Sequence, residues 1–210
     1  MFLLITGASG TGKSSARTAI AAELEPEVVC VELGNVVPIP AWPTLAWRQE
    51  STEAVVRLAL EHQAEGRHLL LSGDPVAPGE VLAAPSADRL DGIRACLLHA
   101  DPEAQEARLR SRGDPTALFP DHVAFAAWMR GHAADPSHVP EVLTTGGWDQ
   151  MRWERWTDGR AGDPGWKVTT IDTSPLDLDE VAAEVLAWAR ASLRGETPPL
   201  AVSGAGSPGS

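Results

Sequence analysis

The chain reads as an α/β protein, a parallel sheet covered by helices on both faces, on three observations. Five short apolar runs of strand length alternate with stretches in which apolar residues recur at spacings of three and four. A glycine-rich segment, Gly7 to Gly12, lies between the first run and the first helical stretch. The runs are near-continuously apolar, as strands buried on both faces must be.

The elements follow in order. Phe2 to Ile5 is the first predicted strand. Ala16, Ala19, Ile20 and Leu24 then fall on one helix face. Val28 to Val31 is the second strand, and a Trp/Pro-rich stretch containing Pro38, Pro40, Trp42, Pro43 and Trp47 must begin as a loop. Ser51 or Thr52 is read as the cap of a helix running to about Ala64, with Gly66 as its stop. Leu69 to Leu71 is the third strand, followed by a turn at Gly73-Asp74-Pro75. Ile93 to Leu98 is the fourth. Asp101-Pro102-Glu103 starts a helix with a cap, a proline at the first helical position and a carboxylate for the dipole. That helix ends near Gly113, and helical pieces are expected at about 121–130 and 148–156. Val168 to Ile171 is the fifth strand. The last helix buries Val181, Val185 and Trp188 and opens on the box-like pair Asp177 and Glu180. The expected domain is 1–194, with lid and acceptor-binding helices within about 101–165 and a flexible tail over 195–210.

Composition removes several classes of function. Of 210 residues 43 % are hydrophobic, enough for a core, yet no apolar run approaches the ~20 residues of a membrane span. The net charge of −12 argues against nucleic acid as a partner, because phosphate neutralisation needs a basic surface. Cys30 and Cys96 sit in apolar runs and read as core residues, with no disulfide framework or metal spacing. The apolar start runs straight into the glycine-rich loop without a basic leader, so the expected location is the cytoplasm. Oligomeric state is not encoded in any feature of this kind.

One motif is sharp. Gly7-Ala8-Ser9-Gly10-Thr11-Gly12-Lys13-Ser14 fits G-x-x-x-x-G-K-[ST], between an apolar strand and a helix. Glycines let successive N–H groups converge on phosphate oxygens, and the following helix adds its N-terminal dipole. Lys13 reaches the outer phosphates of ATP, the hydroxyl of Ser14 joins a Mg²⁺ shell, and Ser15 completes the segment. Only Lys13 and Lys167 are lysines; the other 15 basic residues are arginines.

On this motif the chain resembles the P-loop NTPase superfamily. Its layout over about 1–194 is similar to the small kinases, including shikimate and gluconate kinases, nucleoside and nucleotide kinases, and the chloramphenicol phosphotransferase type. The guanine-reading Asn-Lys-x-Asp of GTPases is absent, since the only asparagine is Asn35. The strand ending in Asp-Glu of motor and helicase ATPases is absent as well.

The resemblance implies further parts. A carboxylate after the second strand falls on Glu32, with Gly34 where relatives often carry a second acid. Asp74, after the third strand, is the other carboxylate at a metal- or acceptor-facing place. Its surroundings are not the Asp-Gly-x-Pro-Arg of adenylate kinases. A basic helix falls on Arg108 and Arg112, four apart and therefore on one face, with Arg110 turned away. A loop meeting the nucleobase falls on Asp172 and Thr173. The acceptor wall, over 36–60 and 113–165, holds Trp47, Arg48 and Arg57, though most of its tryptophans are read as packing residues. His132 and His138 read as surface residues. The implied activity is transfer of the γ-phosphoryl of ATP to a hydroxyl of a small molecule. A nucleoside or nucleotide acceptor stays open, as does a nucleotide-binding regulatory protein without an acceptor.

Overall fold

In the computed structural model, which describes residues 1–201, five parallel strands form one sheet in the order β2-β3-β1-β4-β5. They are β1 (Phe2–Thr6), β2 (Val28–Glu32), β3 (His68–Ser72), β4 (Ile93–His99) and β5 (Val168–Asp172). All five predicted strands are present, each ending one residue later than the apolar run. The extra residue is polar in every case: Thr6, Glu32, Ser72, His99 and Asp172. The carboxyl edge of the sheet is therefore a row of side chains able to do chemistry.

Side chains alternate across the sheet, and the two faces have separate cores. Leu3, Ile5, Leu70, Cys96 and Leu98 face α1 (Lys13–Leu24) and the last helix, which supplies Val181, Val185 and Trp188. Phe2, Leu4, Leu69, Leu71 and Leu97 face the opposite side, against Val55, Val56, Val81, Trp128 and Trp156. β1 is buried over its whole length and lies between β3 and β4, so the chain leaves it at the switch point of a doubly wound sheet.

The remaining helices are α2 (Leu33–Val36), α3 (Leu45–Ala64), α4 (Pro78–Ala83), α5 (Pro102–Arg112), α6 (Phe119–Ala134), α7 (Glu141–Thr144) and α8 (Leu178–Leu193). The caps of α5 and α8 are those expected: Asp101 accepts from the Ala104 N–H at 2.7 Å, and Asp177 and Glu180 form a reciprocal capping box. No helix is long and apolar enough to cross a membrane among the described residues.

Four expectations are corrected. α3 starts at Leu45, not near Ser51 or Thr52. Pro43 blocks earlier helix, the Thr44 hydroxyl caps by accepting from the Trp47 N–H at 3.1 Å, and Ser51 and Thr52 are buried within it. Trp47 and Arg48 are thus held on a helix rather than a loop. The segment 148–156 carries only a single 3₁₀ turn, Trp153–Arg155. Its backbone is claimed from outside, the Trp148 N–H by Gln49 Oε1 at 2.6 Å and the Arg152 N–H by the Ala83 carbonyl at 2.7 Å. The tail does not leave the body at 195. The Leu200 side chain is buried, its N–H donates to the Ile93 carbonyl at 2.9 Å, and the Ala201 N–H donates to Gly165 at 2.8 Å. Residues 202–210 lie outside the described residues. Finally, His132 is no surface residue. It is fully buried, stacked on Trp128 with ring centroids 5.0 Å apart and edge-on to Trp156 and Trp166. His138 is exposed, as expected, and the half-buried Cys30 is less enclosed than Cys96.

Candidate active site

The glycine-rich loop joins β1 to α1 at the carboxyl edge of the central strand. Gly7, Gly10 and Gly12 all take positive φ. At Gly7 the requirement is also steric, because a Cβ would lie 2.2 Å from the Leu98 carbonyl oxygen of β4. α5 braces the loop from the side. The buried Gln105 amide donates to the Ser9 carbonyl at 2.8 Å and to the His122 carbonyl at 3.3 Å, tying the loop to α5 and α6. No acidic residue stands in the first turn of α1, so nothing there competes with an anion for the helix dipole.

Lys13 is 5 % exposed, and its Nζ donates to the Ala8 carbonyl at 2.8 Å. Burial brings its pKa down to about 8; Asp74 and, more weakly, Glu32 oppose the fall, while Arg112 adds to it. The Ser14 and Ser15 side chains are exposed to the cleft. This cleft is about 900 Å³ and is lined by residues 9–15, Arg108 and Arg112, the α6 residues Asp121, His122 and Phe125, and Leu176 to Leu178 with Val181.

The two arginines face it together but are differently held. Arg108 donates to the Thr173 hydroxyl at 2.8 Å and to the Thr173 carbonyl. Arg112 is more exposed, paired with Asp114, and donates to the Ser9 hydroxyl at 2.7 Å. Arg110 lies over the Phe119 ring at 5.5 Å, away from the cleft as expected. Asp172 and Thr173 do not line the cleft. Asp172 closes a turn onto the Ser174 hydroxyl at 2.6 Å, and Thr173 is buried, its hydroxyl donating to the His99 carbonyl at 3.0 Å. The walls at that end are instead Leu176, Leu178 and Val181, apolar residues at the entry to α8. The sequence signal was an apolar residue inside a capping box, Leu178, which stays 52 % exposed in the fold.

A second cavity, about 380 Å³, adjoins the first. Pro75 and Phe125 line both. Its other walls are Ile39, Pro43, Thr44 and Leu45, then Trp47 and Arg48 of α3, Asp74, and Val142 of α7. Arg57 is not among them. It is an exposed residue bound to Glu53 at 2.7 Å, two turns further along α3, so its expected acceptor role is corrected.

The two carboxylates separate clearly. Glu32 binds Arg17 at 3.0 Å and lines neither cavity; its side chain packs on Gly73, where a Cβ would come within 2.8 Å of it. Asp74 lines the second cavity and uses Oδ2 to accept from the Leu33 N–H at 3.0 Å. Burial raises its pKa above the ordinary carboxylate value, the Leu33 hydrogen bond pulls against this, and Glu32 adds to the rise. Among the described residues no cluster of three His, Cys, Asp or Glu forms a protein-only metal cage.

No protein-family model matches the chain, and no curated protein matches it. Solved structures do. A sugar kinase from Janibacter sp. HTCC2649 aligns at 13 % identity and TM-score 0.55, covering 93 % of this chain and 98 % of that one. A gluconokinase from Sinorhizobium meliloti 1021 aligns at 19 % identity and TM-score 0.56, covering 91 % and 93 %. The likeness shows the fold, a five-stranded parallel α/β sheet flanked by helices.

Proposed function

We propose that the chain is an ATP-dependent phosphotransferase acting on a hydroxyl of a small molecule. The observation that carries this reading is the pair of adjoining cavities: a phosphate loop with a buried lysine lines one, an unpaired carboxylate oxygen lines the other, and Pro75 and Phe125 form their common wall.

The loop N–H groups and the start of α1 take the phosphates of ATP. Lys13 exchanges the Ala8 carbonyl for a phosphate oxygen. Arg108 and Arg112 supply further positive charge along the same cleft. Asp74 accepts the proton of the acceptor hydroxyl. The freed oxygen bonds to the γ-phosphorus as the bond from that phosphorus to the bridging oxygen breaks, and its electron pair leaves with ADP.

The donors fit Mg²⁺, a hard cation that takes oxygen ligands and keeps several from substrate and water. The exposed Ser14 hydroxyl is the oxygen this chain would offer, and the bound ion would offset charge on the β- and γ-phosphates. The test is transfer of label from γ-labelled ATP to an organic acceptor. A nucleotide switch would instead bind ATP and label nothing.

A further inference from the structure

The second cavity carries a statement about the acceptor itself, which rests on the phosphotransferase reading. Among the described residues, its only ionisable lining groups are Arg48 and Asp74. Arg48 is committed elsewhere. Its guanidinium binds Glu80 Oε1 through both Nε and Nη2 at 2.9 Å, and Glu80 is fully buried. The second Glu80 oxygen caps α4 by accepting from the Ala77 N–H at 2.8 Å. Turning Arg48 towards a bound anion would strand a buried carboxylate, so the pair behaves as a neutral unit. The charge left facing the ligand is that of Asp74, with Glu32 behind it. The rest of the wall is apolar, and two of its side chains, Ile39 at 58 % and Val142 at 39 %, stand exposed where a ligand would cover them.

We infer that this cavity selects an acceptor alcohol with an apolar body and no negative charge, neutral or cationic, and rejects sugar acids and phosphorylated acceptors. A cationic group finds Asp74, an apolar ring finds Trp47 and Phe125, and an anion meets the Asp74 carboxylate and a guanidinium whose charge Glu80 already offsets. In the reaction such an alcohol gives its hydroxyl proton to Asp74, its oxygen gains the γ-phosphoryl, and ADP leaves with the bond pair.

Matched probes test this on the full chain. 2-Phenylethanol, phenylalaninol and phenyllactate share an aromatic body and a hydroxyl and differ in charge; gluconate adds a polar anion. Titration calorimetry measures binding, and ADP release measures transfer. The neutral and cationic alcohols are expected to bind at least about tenfold tighter than phenyllactate, with no gluconate binding. Val142→Asp should weaken the neutral alcohol. Glu80→Gln keeps an acceptor for the Ala77 N–H but frees Arg48, and should tighten phenyllactate specifically, which a merely structural role for Glu80 would not do. Equal or tighter binding of phenyllactate or gluconate to the unaltered chain overturns the inference. So does the failure of both uncharged and cationic alcohols to bind at millimolar concentration. Selective binding of the alcohols with no transfer to any acceptor overturns the phosphotransferase reading and leaves the selectivity standing.

Discussion

Lys13 Nζ donates to the Ala8 carbonyl oxygen at 2.8 Å, so the glycine-rich loop closes on its own lysine. The ammonium is thereby held in the cleft with one hydrogen-bond partner it can give up. Lys13→Ala is expected to lower phosphoryl transfer by at least about 10²-fold, the scale of losing one charged stabiliser of a transition state. The fold should survive. The Ala8 carbonyl keeps the Thr11 hydroxyl at 3.0 Å, and a buried charge is removed rather than created. Circular dichroism alongside the transfer assay checks both halves.

The pH dependence of nucleotide binding follows from the same residue. Lys13 releases its proton near pH 8 in the free protein, because burial disfavours the ammonium. Bound phosphate favours the charged form and holds the proton to higher pH. Affinity for ATP should therefore be flat below about pH 8 and fall above it, by up to about tenfold per pH unit. Calorimetric titration in buffers of different ionisation enthalpy should show proton uptake on binding above that pH.

The carboxylates should part in kinetics as they do in space. Asp74→Asn is expected to cut kcat by about 10²–10⁴-fold with little change in ATP affinity, as loss of a general base would. Glu32→Gln loses a partly buried ion pair with Arg17 that lies outside both cavities and should cost less than about tenfold in kcat. The base must be ionised to work, so rate falls as pH drops through the Asp74 pKa. Since burial raises that pKa, the acid limb should lie above the ordinary carboxylate value and vanish in Asp74→Asn.

His132 predicts an acid-sensitive core. Its pKa falls from 6.5 to about 3, first because it is buried and then because His138 lies near. Between those values the unfolded chain binds the extra proton, so stability is lost as pH falls from 6.5 towards 3. The slope should reach about 1.4 kcal/mol per pH unit. Urea midpoints for the parent and for His132→Leu, compared across that range, should show the variant with the shallower dependence.

Much of this was legible in the sequence, and the limits have physical reasons. The strands announced themselves because a parallel sheet buried on both faces demands unbroken apolar runs, and all of those runs became strands. The glycine-rich turn between β1 and α1 was legible because its spacing is fixed by local backbone geometry. Capping chemistry placed Asp101 and Asp177, where one side chain bonds its own helix. What failed depended on distant contacts. Nothing local in 148–156 shows that Gln49 and Ala83 capture its backbone. His132 reads as a polar residue on a helix until three tryptophans from separate segments enclose it. Arg48 and Arg57 look equivalent along the chain, yet only Arg48 lines a cavity, and there Glu80 has already claimed it.

The most direct measurement is the fate of label from γ-labelled ATP incubated with the chain and a mixture of neutral and cationic aromatic alcohols, read by chromatography and mass spectrometry. The expected result is a labelled phosphate monoester of one alcohol, absent with Lys13→Ala and strongly reduced with Asp74→Asn. ATP binding that yields only inorganic phosphate, or no labelled product, across neutral, cationic and anionic acceptors alike would contradict it.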